Sequence, residues 1–195
     1  HNCNKIQMLG CAKNMHQAIV NIILDQIKDQ FISETVCVTY FLDVTKEEWE
    51  DWKKGLRPLP SEKMQKLKSL FSDYEWMLIQ KIARQASLFP EKRNYVVPEY
   101  KRLKSIIAKE WIKTGMTKVE LITQTSIPNI GDNSYPKKQV VNLRIFISYG
   151  EWGYDDILEF CMPAVIQQQI SDSKVDLLEW VDENLVEAYT EHEEE

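Results

Sequence analysis

The carboxylates of Asp155, Asp156 and Glu159 have the spacing in this sequence that best suits chemistry. On a helix they would share one face, and grouped carboxylates can transfer protons or hold a hard metal ion. The chain contains 30 acidic residues, however, so such a group is expected by coincidence. A small metal-dependent or acid–base enzyme is therefore only the third of three hypotheses.

Other catalytic arrangements have less support. The three histidines, His1, His16 and His192, lie near the chain ends, where a histidine base or metal site is difficult to build. Cys161 has no internal histidine to activate it, and the four cysteines lack the paired spacing of zinc sites. The six glycines form no phosphate-binding motif. We therefore predict a protein that is not an enzyme and that binds no cofactor or metal.

The charge of the chain limits its partners. The net charge is -6, so no overall positive field attracts nucleic acid, and DNA binding would need a local basic patch. An acidic surface suits a basic partner. No apolar run reaches the roughly 20 residues that a membrane-spanning helix needs, and we expect a soluble, intracellular protein. Because the first residue is His, residues 1–14 are expected to be a non-native or disordered leader.

Six tryptophans are many for 195 residues, and tryptophan serves both as a core anchor and as an interface hot spot. Trp52 lies one position out of phase with the inward-facing Trp49, and Trp152 lies between two glycines of a predicted loop. Trp52 and Trp152 are therefore the expected exposed contacts. The others fall on or beside inward-facing positions and are expected in the core: Trp49, Trp76, Trp111 and Trp180.

The clearest helix signals begin at Thr45. Thr45 and Glu48 have the spacing of a capping box, and Gly55 can adopt the left-handed conformation that ends a helix. The prolines of RPLP (57–60) predict a turn before a second short helix. The apolar run VCVTYFL (36–42), which precedes this pair of helices, is either a strand or a buried connection.

Further helices are predicted on both sides of this pair. Ser72 and Glu75 form a second capping box, and apolar residues at helical spacing predict a helix near 15–32. Pro98 and Gly115 bound another helix. Its inward positions are Tyr100, Leu103, Ile106, Ile107 and Trp111, and its basic face carries Lys101, Arg102, Lys104 and Lys109.

The pattern then changes to period two, which predicts antiparallel strands. Alternating runs cover 119–123 and 141–147, and a third run through 158–162 is ambiguous. The loop at 127–138 is rich in turn formers and is expected to be exposed and mobile. A last helix is predicted after Ser173.

These elements predict an α+β fold, in which an N-terminal helical, helix-turn-helix-like bundle precedes an antiparallel β-hairpin or small sheet and a C-terminal helix. The predicted divisions are a helical domain (15–115) with the helix-turn-helix-like segment (45–81), a hairpin with the last helix (116–190), and an acidic tail (191–195).

The stretch VTKEEWEDWKKGLRPLPSEKMQKLKSLF (44–71) resembles the later helices of repressor-type helix-turn-helix domains. The shared features are a helix with an inward tryptophan, a Lys-Gly stop, a proline-containing turn and an amphipathic helix. In that family the first of these helices enters the major groove. The resemblance implies that the side chains facing duplex DNA would be Lys46, Glu50, Lys53, Lys54 and Arg57. The basic helix face would add Lys101, Arg102 and Lys104.

Four stretches resemble a family of small streptococcal-phage anti-CRISPR proteins. They are TKEEWEDWKKG (45–55), EKM (62–64), LFSDYEWMLIQK (70–81) and LEWVDENL (178–185). In that family helices come first, a β-hairpin follows and a terminal helix closes the chain, which is the order predicted here. Family members are homodimers that bind type II-A Cas9 directly and inhibit it. The resemblance implies the same activity in the cytoplasm of a bacterial host.

The leading hypothesis is therefore a phage or mobile-element inhibitor that binds Cas9 by surface complementarity, without catalysis. Its expected contact residues are Trp52, Lys53, Lys54, Arg57 and Trp152. The alternative is a helix-turn-helix transcriptional regulator. The two hypotheses differ measurably, because a regulator binds duplex DNA with an affinity that falls steeply with salt.

Overall fold

The computed structural model describes residues 2–123, 137–150, 153 and 155–190, with side chains from residue 10 onward. Helices come first, a three-stranded antiparallel sheet follows and a helix ends the order, so the predicted α+β class is confirmed. The helices are α1 (Asn2–Gln30), α2 (Glu34–Val36), α3 (Lys46–Lys53), α4 (Ser61–Lys68), α5 (Asp73–Leu88), α6 (Val96–Lys113), α7 (Val165–Ser171) and α8 (Leu177–Thr190). A π-helical segment (Cys37–Leu42) and a 3-10 segment (Pro90–Tyr95) accompany them. The strands are β1 (Thr117–Thr123), β2 (Val140–Ser148) and β3 (Asp155–Pro163).

The chain divides into two compact units. Unit 1 comprises His1–Leu70 and Trp76–Tyr100, and unit 2 comprises Phe71–Glu75 and Lys101–Glu195. The division falls inside α5 and α6, whereas the sequence places a boundary at residue 115. Helices α5 and α6 therefore contribute residues to both units. Within the described ranges, no helix is both long enough and apolar enough to cross a membrane.

The core of unit 1 includes the inward face of α1. Ile22, Ile23 and Ile27 are buried, as their helical spacing predicts. The helix begins at Asn2, and so it includes most of the residues for which the sequence predicts a leader. The run 36–42 is helical throughout, so the strand alternative is wrong, and the connection is buried only in part. Its buried side chains are Cys37, Val38 and Leu42.

Helix α3 has the ends that its sequence predicts. The Thr45 hydroxyl accepts the Glu48 N–H at 3.2 Å, and the Glu48 carboxylate accepts the Thr45 N–H at 2.9 Å, which completes the capping box. At the other end Gly55 has a φ of 70° and donates its N–H to the Trp52 carbonyl at 2.9 Å. The next residue donates to the Asp51 carbonyl at 2.8 Å. These two bonds form a Schellman motif, which satisfies carbonyls that a helix end would otherwise leave unpaired.

The sheet of unit 2 has the strand order β1-β2-β3. In its register Val119 lies opposite Ile145, which lies opposite Leu158 on the other side. The alternating apolar residues therefore share one face, and the ambiguous run forms the third strand. Buried side chains in this core include Leu143, Ile145, Ile147, Leu158, Phe160, Met162, Trp180, Val181 and Leu185.

Helix α8 begins three residues later than the sequence suggests. The Asp176 carboxylate accepts the Glu179 N–H at 2.9 Å and so acts as the N-cap. Ser173 instead accepts the Val175 N–H at 3.3 Å, before the helix starts. Most of the predicted loop at 127–138 lies outside the described residues, and so does the predicted acidic tail.

We predict that Gly55→Ala destabilises the protein by about 1–2 kcal/mol, because a left-handed conformation is costly for residues with a Cβ atom. The added Cβ would also lie 3.3 Å from the His16 ring. Gly10→Ala is the matched control, since a Cβ at this helical position meets nothing within 4 Å. The control is expected to leave stability unchanged or to raise it. Urea denaturation measures both, and equal effects would contradict the prediction.

Candidate functional site

The candidate site from the sequence is the surface of α3 and the turn that follows it. Lys46, Lys54 and Arg57 are exposed there, and Lys53 is partly buried. Their positions follow from the caps of α3, because the capping box fixes where the helix begins and the Schellman motif fixes the direction of the turn.

The expectation that Trp52 is exposed is wrong. Trp52 is 5% exposed, and its ring stacks on Trp49 with 4.8 Å between ring centroids. The His16 ring packs edge-on against it at 5.6 Å, and His16 Nε2 lies 2.7 Å from the Trp52 carbonyl oxygen. Aromatic neighbours thus cover a position that the helical period alone places at the edge of the inward face. Trp152, the other expected aromatic contact, lies outside the described residues.

Two carboxylates hold the Lys53 ammonium. It lies 2.7 Å from Glu34 and 2.7 Å from Glu50. Burial, the largest effect, lowers the pKa of Lys53, but its bonds to both carboxylates together raise the pKa above its ordinary value. Glu34 also accepts a hydrogen bond from the Trp49 indole at 2.5 Å. Lys53 is therefore engaged within unit 1, which reduces what it can offer to a partner.

The other cations of this surface differ in whether they form an ion pair. The Arg57 guanidinium lies 3.3 Å from the Asp51 carboxylate. Lys46 and Lys54 form no ion pair with any residue that the structure describes. Carboxylates between the cations repel phosphates. A surface with both signs of charge therefore suits a protein better than a DNA backbone.

Leu56 is a contact candidate that the sequence analysis missed. Its side chain is 73% exposed, in the turn between α3 and α4. A hydrophobic residue at this place in a Schellman motif usually packs on the last turn of its own helix. The residue on α3 against which Leu56 would pack is Asp51, which offers no apolar surface. An aspartate at this position is the sequence signal that could have indicated an exposed Leu56. Together with Lys54 and Arg57, Leu56 forms what we call the turn surface.

The basic face predicted for α6 is wrong at two of its four positions. Lys101 and Lys104 are 6% and 1% exposed, whereas Arg102 is exposed. Ile106, predicted to face inward, is instead 41% exposed. The buried face of α6 includes Lys104, whose charge is paired with Glu75. It therefore differs from the face that the apolar residues alone predict. Lys101 also lies over the Tyr189 ring, with its ammonium 5.3 Å from the ring centroid.

The Lys104 ammonium lies in a fully bonded buried network. It is 2.8 Å from the Glu75 carboxylate, donates to the Glu159 carbonyl and lies 3.4 Å from the Tyr189 hydroxyl. The Phe160 ring provides a further contact at 4.6 Å from its centroid. Because an ammonium has three donors, each donor has a partner. Lys104 therefore has a structural role in unit 2. The prediction that it lies on a DNA-binding face of α6 is wrong.

The other partner in this ion pair, Glu75, is 0% exposed and connects three elements. One carboxylate oxygen accepts the Ser72 N–H at 2.8 Å, completing the predicted capping box of α5. The other oxygen binds Lys104 and accepts the backbone N–H of Glu159 at 2.7 Å. The Ser72 hydroxyl donates to the Ile157 carbonyl. The start of α5 therefore bonds to the outer edge of β3.

The carboxylates considered for catalysis lie on a strand rather than a helix. Strand alternation puts Asp155 and Glu159 on one face of β3 and Asp156 on the other. Asp156 accepts a hydrogen bond from the Tyr149 hydroxyl at 2.8 Å, and this bond raises the pKa of Tyr149 to about 12. Glu159 lies 2.9 Å from Arg144 on the neighbouring strand. Among the described residues, no group of His, Cys, Asp or Glu side chains could hold a metal ion.

No protein-family model matches the chain, and neither a curated protein nor a solved structure matches it. Support for either a Cas9 inhibitor or a DNA-binding regulator therefore comes from the residues of the chain and from the family resemblances of the stretches quoted above.

We predict that Glu75→Gln destabilises the protein by about 3–5 kcal/mol, because it leaves the Lys104 charge buried without its carboxylate. The double variant Glu75→Gln/Lys104→Met should recover much of this loss. Glu110→Gln is the matched control, since it breaks an exposed ion pair with Lys113 and should leave the stability nearly unchanged. If urea denaturation finds equal costs for the two single variants, the network does not have this role.

We predict that Glu159 makes the stability of the protein depend on pH. Burial is the largest effect on Glu159 and raises its pKa. Attraction to Arg144 and Lys104 lowers the pKa and repulsion from Glu75 raises it, and the net shift is upward. The folded protein thus binds this proton more tightly than the unfolded chain does. The associated stability is present at acidic pH and is lost as pH rises through the raised pKa. Relative to the parent, Glu159→Gln should therefore become more stable as pH increases from about 4 to 7. A difference in unfolding free energy that stays constant over this range would contradict the assignment.

Proposed function

We propose that the chain is a phage or mobile-element anti-CRISPR protein that binds Cas9 and inhibits it without catalysis, as a homodimer in the cytoplasm of a bacterial host. The observation that carries the proposal is the position of the four resembling stretches. They include the capped start and end of α3, the capping box of α5 and the buried face of α8.

Helix caps and buried contacts are the positions that fix an arrangement of elements. Thr45 and Glu48 cap α3 in unit 1, Ser72 and Glu75 cap α5, and Trp180 lies in the core of unit 2. The resemblance thus involves residues with a defined structural purpose in both units. Its implied order of helices, a β-hairpin and a terminal helix agrees in outline with the observed order, to which the structure adds a third strand and α7.

Charge supports a basic protein partner. The chain has a net charge of -6, and Cas9 holds its guide and target nucleic acids in positively charged channels. Opposite net charges accelerate encounter, and this steering comes from the chain as a whole rather than from any single contact surface.

The turn surface is the proposed contact with Cas9. An exposed leucine beside two cations resembles the centre of many protein interfaces, where an apolar anchor is surrounded by polar groups. Leu56 supplies the anchor, and Lys54 and Arg57 supply the cations. Trp52 is covered by Trp49 and His16, so it supports the turn from inside.

Duplex DNA is less favoured as the partner. Of the cations named for DNA, Lys104 is buried in an ion pair and Lys53 is held by Glu34 and Glu50. Too few free cations remain on α3 to account for strong binding by release of counterions.

We predict that Leu56→Asp weakens binding to Cas9 by about tenfold or more, because it puts a charge where an apolar contact is buried. Leu88→Asp is the matched control, since Leu88 is also an exposed leucine of unit 1, at 68% exposure. The experiment is a pull-down of guide-loaded Cas9 from the natural host, followed by titration with the purified variants. Unchanged affinity for Leu56→Asp would reject the turn surface. Binding to a promoter fragment with strong salt dependence, and no binding to Cas9, would instead support the regulator hypothesis.

A further inference from the structure

The two edges of the unit 2 sheet differ in how their backbone groups are satisfied. On the outer edge of β3, side chains bond the backbone in place of another strand. Ser72 donates to the Ile157 carbonyl, Glu75 accepts the Glu159 N–H, and Lys104 donates to the Glu159 carbonyl. This edge is therefore closed to any additional strand.

Strand β1 forms the opposite edge. Its register with β2 runs from Thr117 to Thr123 without a bulge, and among the described residues the part from Thr117 to Ile122 pairs with no other strand. Val119 and Leu121 pack only partly against the core of unit 2. A regular edge strand with apolar residues is a template for pairing with another chain. Edge strands are usually protected against such pairing by a bulge, a proline or a charge that finds no opposite charge on the incoming strand. The charges of β1 therefore decide which strand can pair with it.

We infer that β1 pairs with β1 of a second copy of this chain, antiparallel about a twofold axis at Val119. This register puts Lys118 of each copy opposite Glu120 of the other, which gives two cross-strand pairs of opposite charge. An axis at Lys118 would oppose two lysines, and an axis at Glu120 would oppose two glutamates. Like charges directly opposite each other destabilise a strand pair, whereas opposite charges stabilise it.

The same register keeps the faces of the sheet aligned. A twofold axis perpendicular to the sheet pairs only residues that lie on the same face, and side chains alternate between faces along a strand. Val119 then lies opposite Val119 of the second copy, and Thr117 lies opposite Leu121. In the single chain, Lys118 forms an ion pair with Glu120 two residues away on the same face. In the dimer each of these charges gains a second partner of opposite sign across the new strand pair.

The proposed dimer is the homodimer of the proposed function, but its formation is measured without Cas9. A monomer that inhibits Cas9 and a dimer that ignores Cas9 are therefore distinguishable results. A strand pair of this length buries less area than a standard interface, so the dimer should dissociate on dilution.

The test is a charge exchange on the full chain, measured by sedimentation equilibrium. Lys118→Glu and Glu120→Lys each put like charges opposite one another and should weaken the dimer by about tenfold. The double variant Lys118→Glu/Glu120→Lys restores opposite charges and should return the affinity to that of the parent. The matched control is the exchange of Lys113 and Glu110, an exposed ion pair on α6, which should have no effect. A double variant as weak as the single ones, or a parent that stays monomeric, would overturn the inference.

A second measurement does not depend on the stability of the charge variants. Across an antiparallel pair, directly opposite Cα atoms are about 4.5–5.5 Å apart, which is within the range of a disulfide. Val119→Cys should therefore form a cross-linked dimer under mild oxidation. Thr117→Cys should not, since its symmetry mate lies about four residues away along the strand pair. Equal cross-linking of both variants would exclude the proposed register.

Discussion

A single buried carboxylate, that of Glu75, holds together three parts of unit 2 that are remote in sequence. It caps α5 through Ser72, neutralises Lys104 on α6 and bonds the backbone of β3 at Glu159. The strong dependence follows from the burial of both side chains, because a charge buried without its partner costs several kcal/mol. The sheet, α6 and the start of α5 must therefore adopt their observed positions together.

The charges of the chain consequently have two different uses. Lys104 and Glu75 are enclosed and determine how unit 2 is assembled. Lys54 and Arg57 lie on the surface beside an exposed Leu56, where they cost little and are accessible to a partner. Mutations at the enclosed charges should act through folding, whereas mutations at the turn surface should act through binding. Measuring stability and binding separately therefore distinguishes the two causes.

The resemblance to anti-CRISPR proteins depends mainly on helix caps and core residues. Caps and core residues report that two chains share an arrangement, while partners are selected by exposed residues that differ more freely. The turn surface and the β1 edge are therefore the regions that we propose give this chain its own specificity. The proposed contact with Cas9 and the proposed pairing with a second copy involve different residues, so each can be tested with its own variants.

The sequence by itself determined the local features. The Thr45 and Ser72 capping boxes, the left-handed Gly55 and the alternation of the strands all depend on interactions within a few residues, and each is confirmed. Only the tertiary structure decided that Trp52 is covered and that Lys104 is buried. A helical period describes one helix, whereas burial depends on the elements packed against it. The neighbours of Trp52 include His16, which is 36 residues away, and Lys104 binds a carboxylate 29 residues away, so no local pattern could reveal either contact.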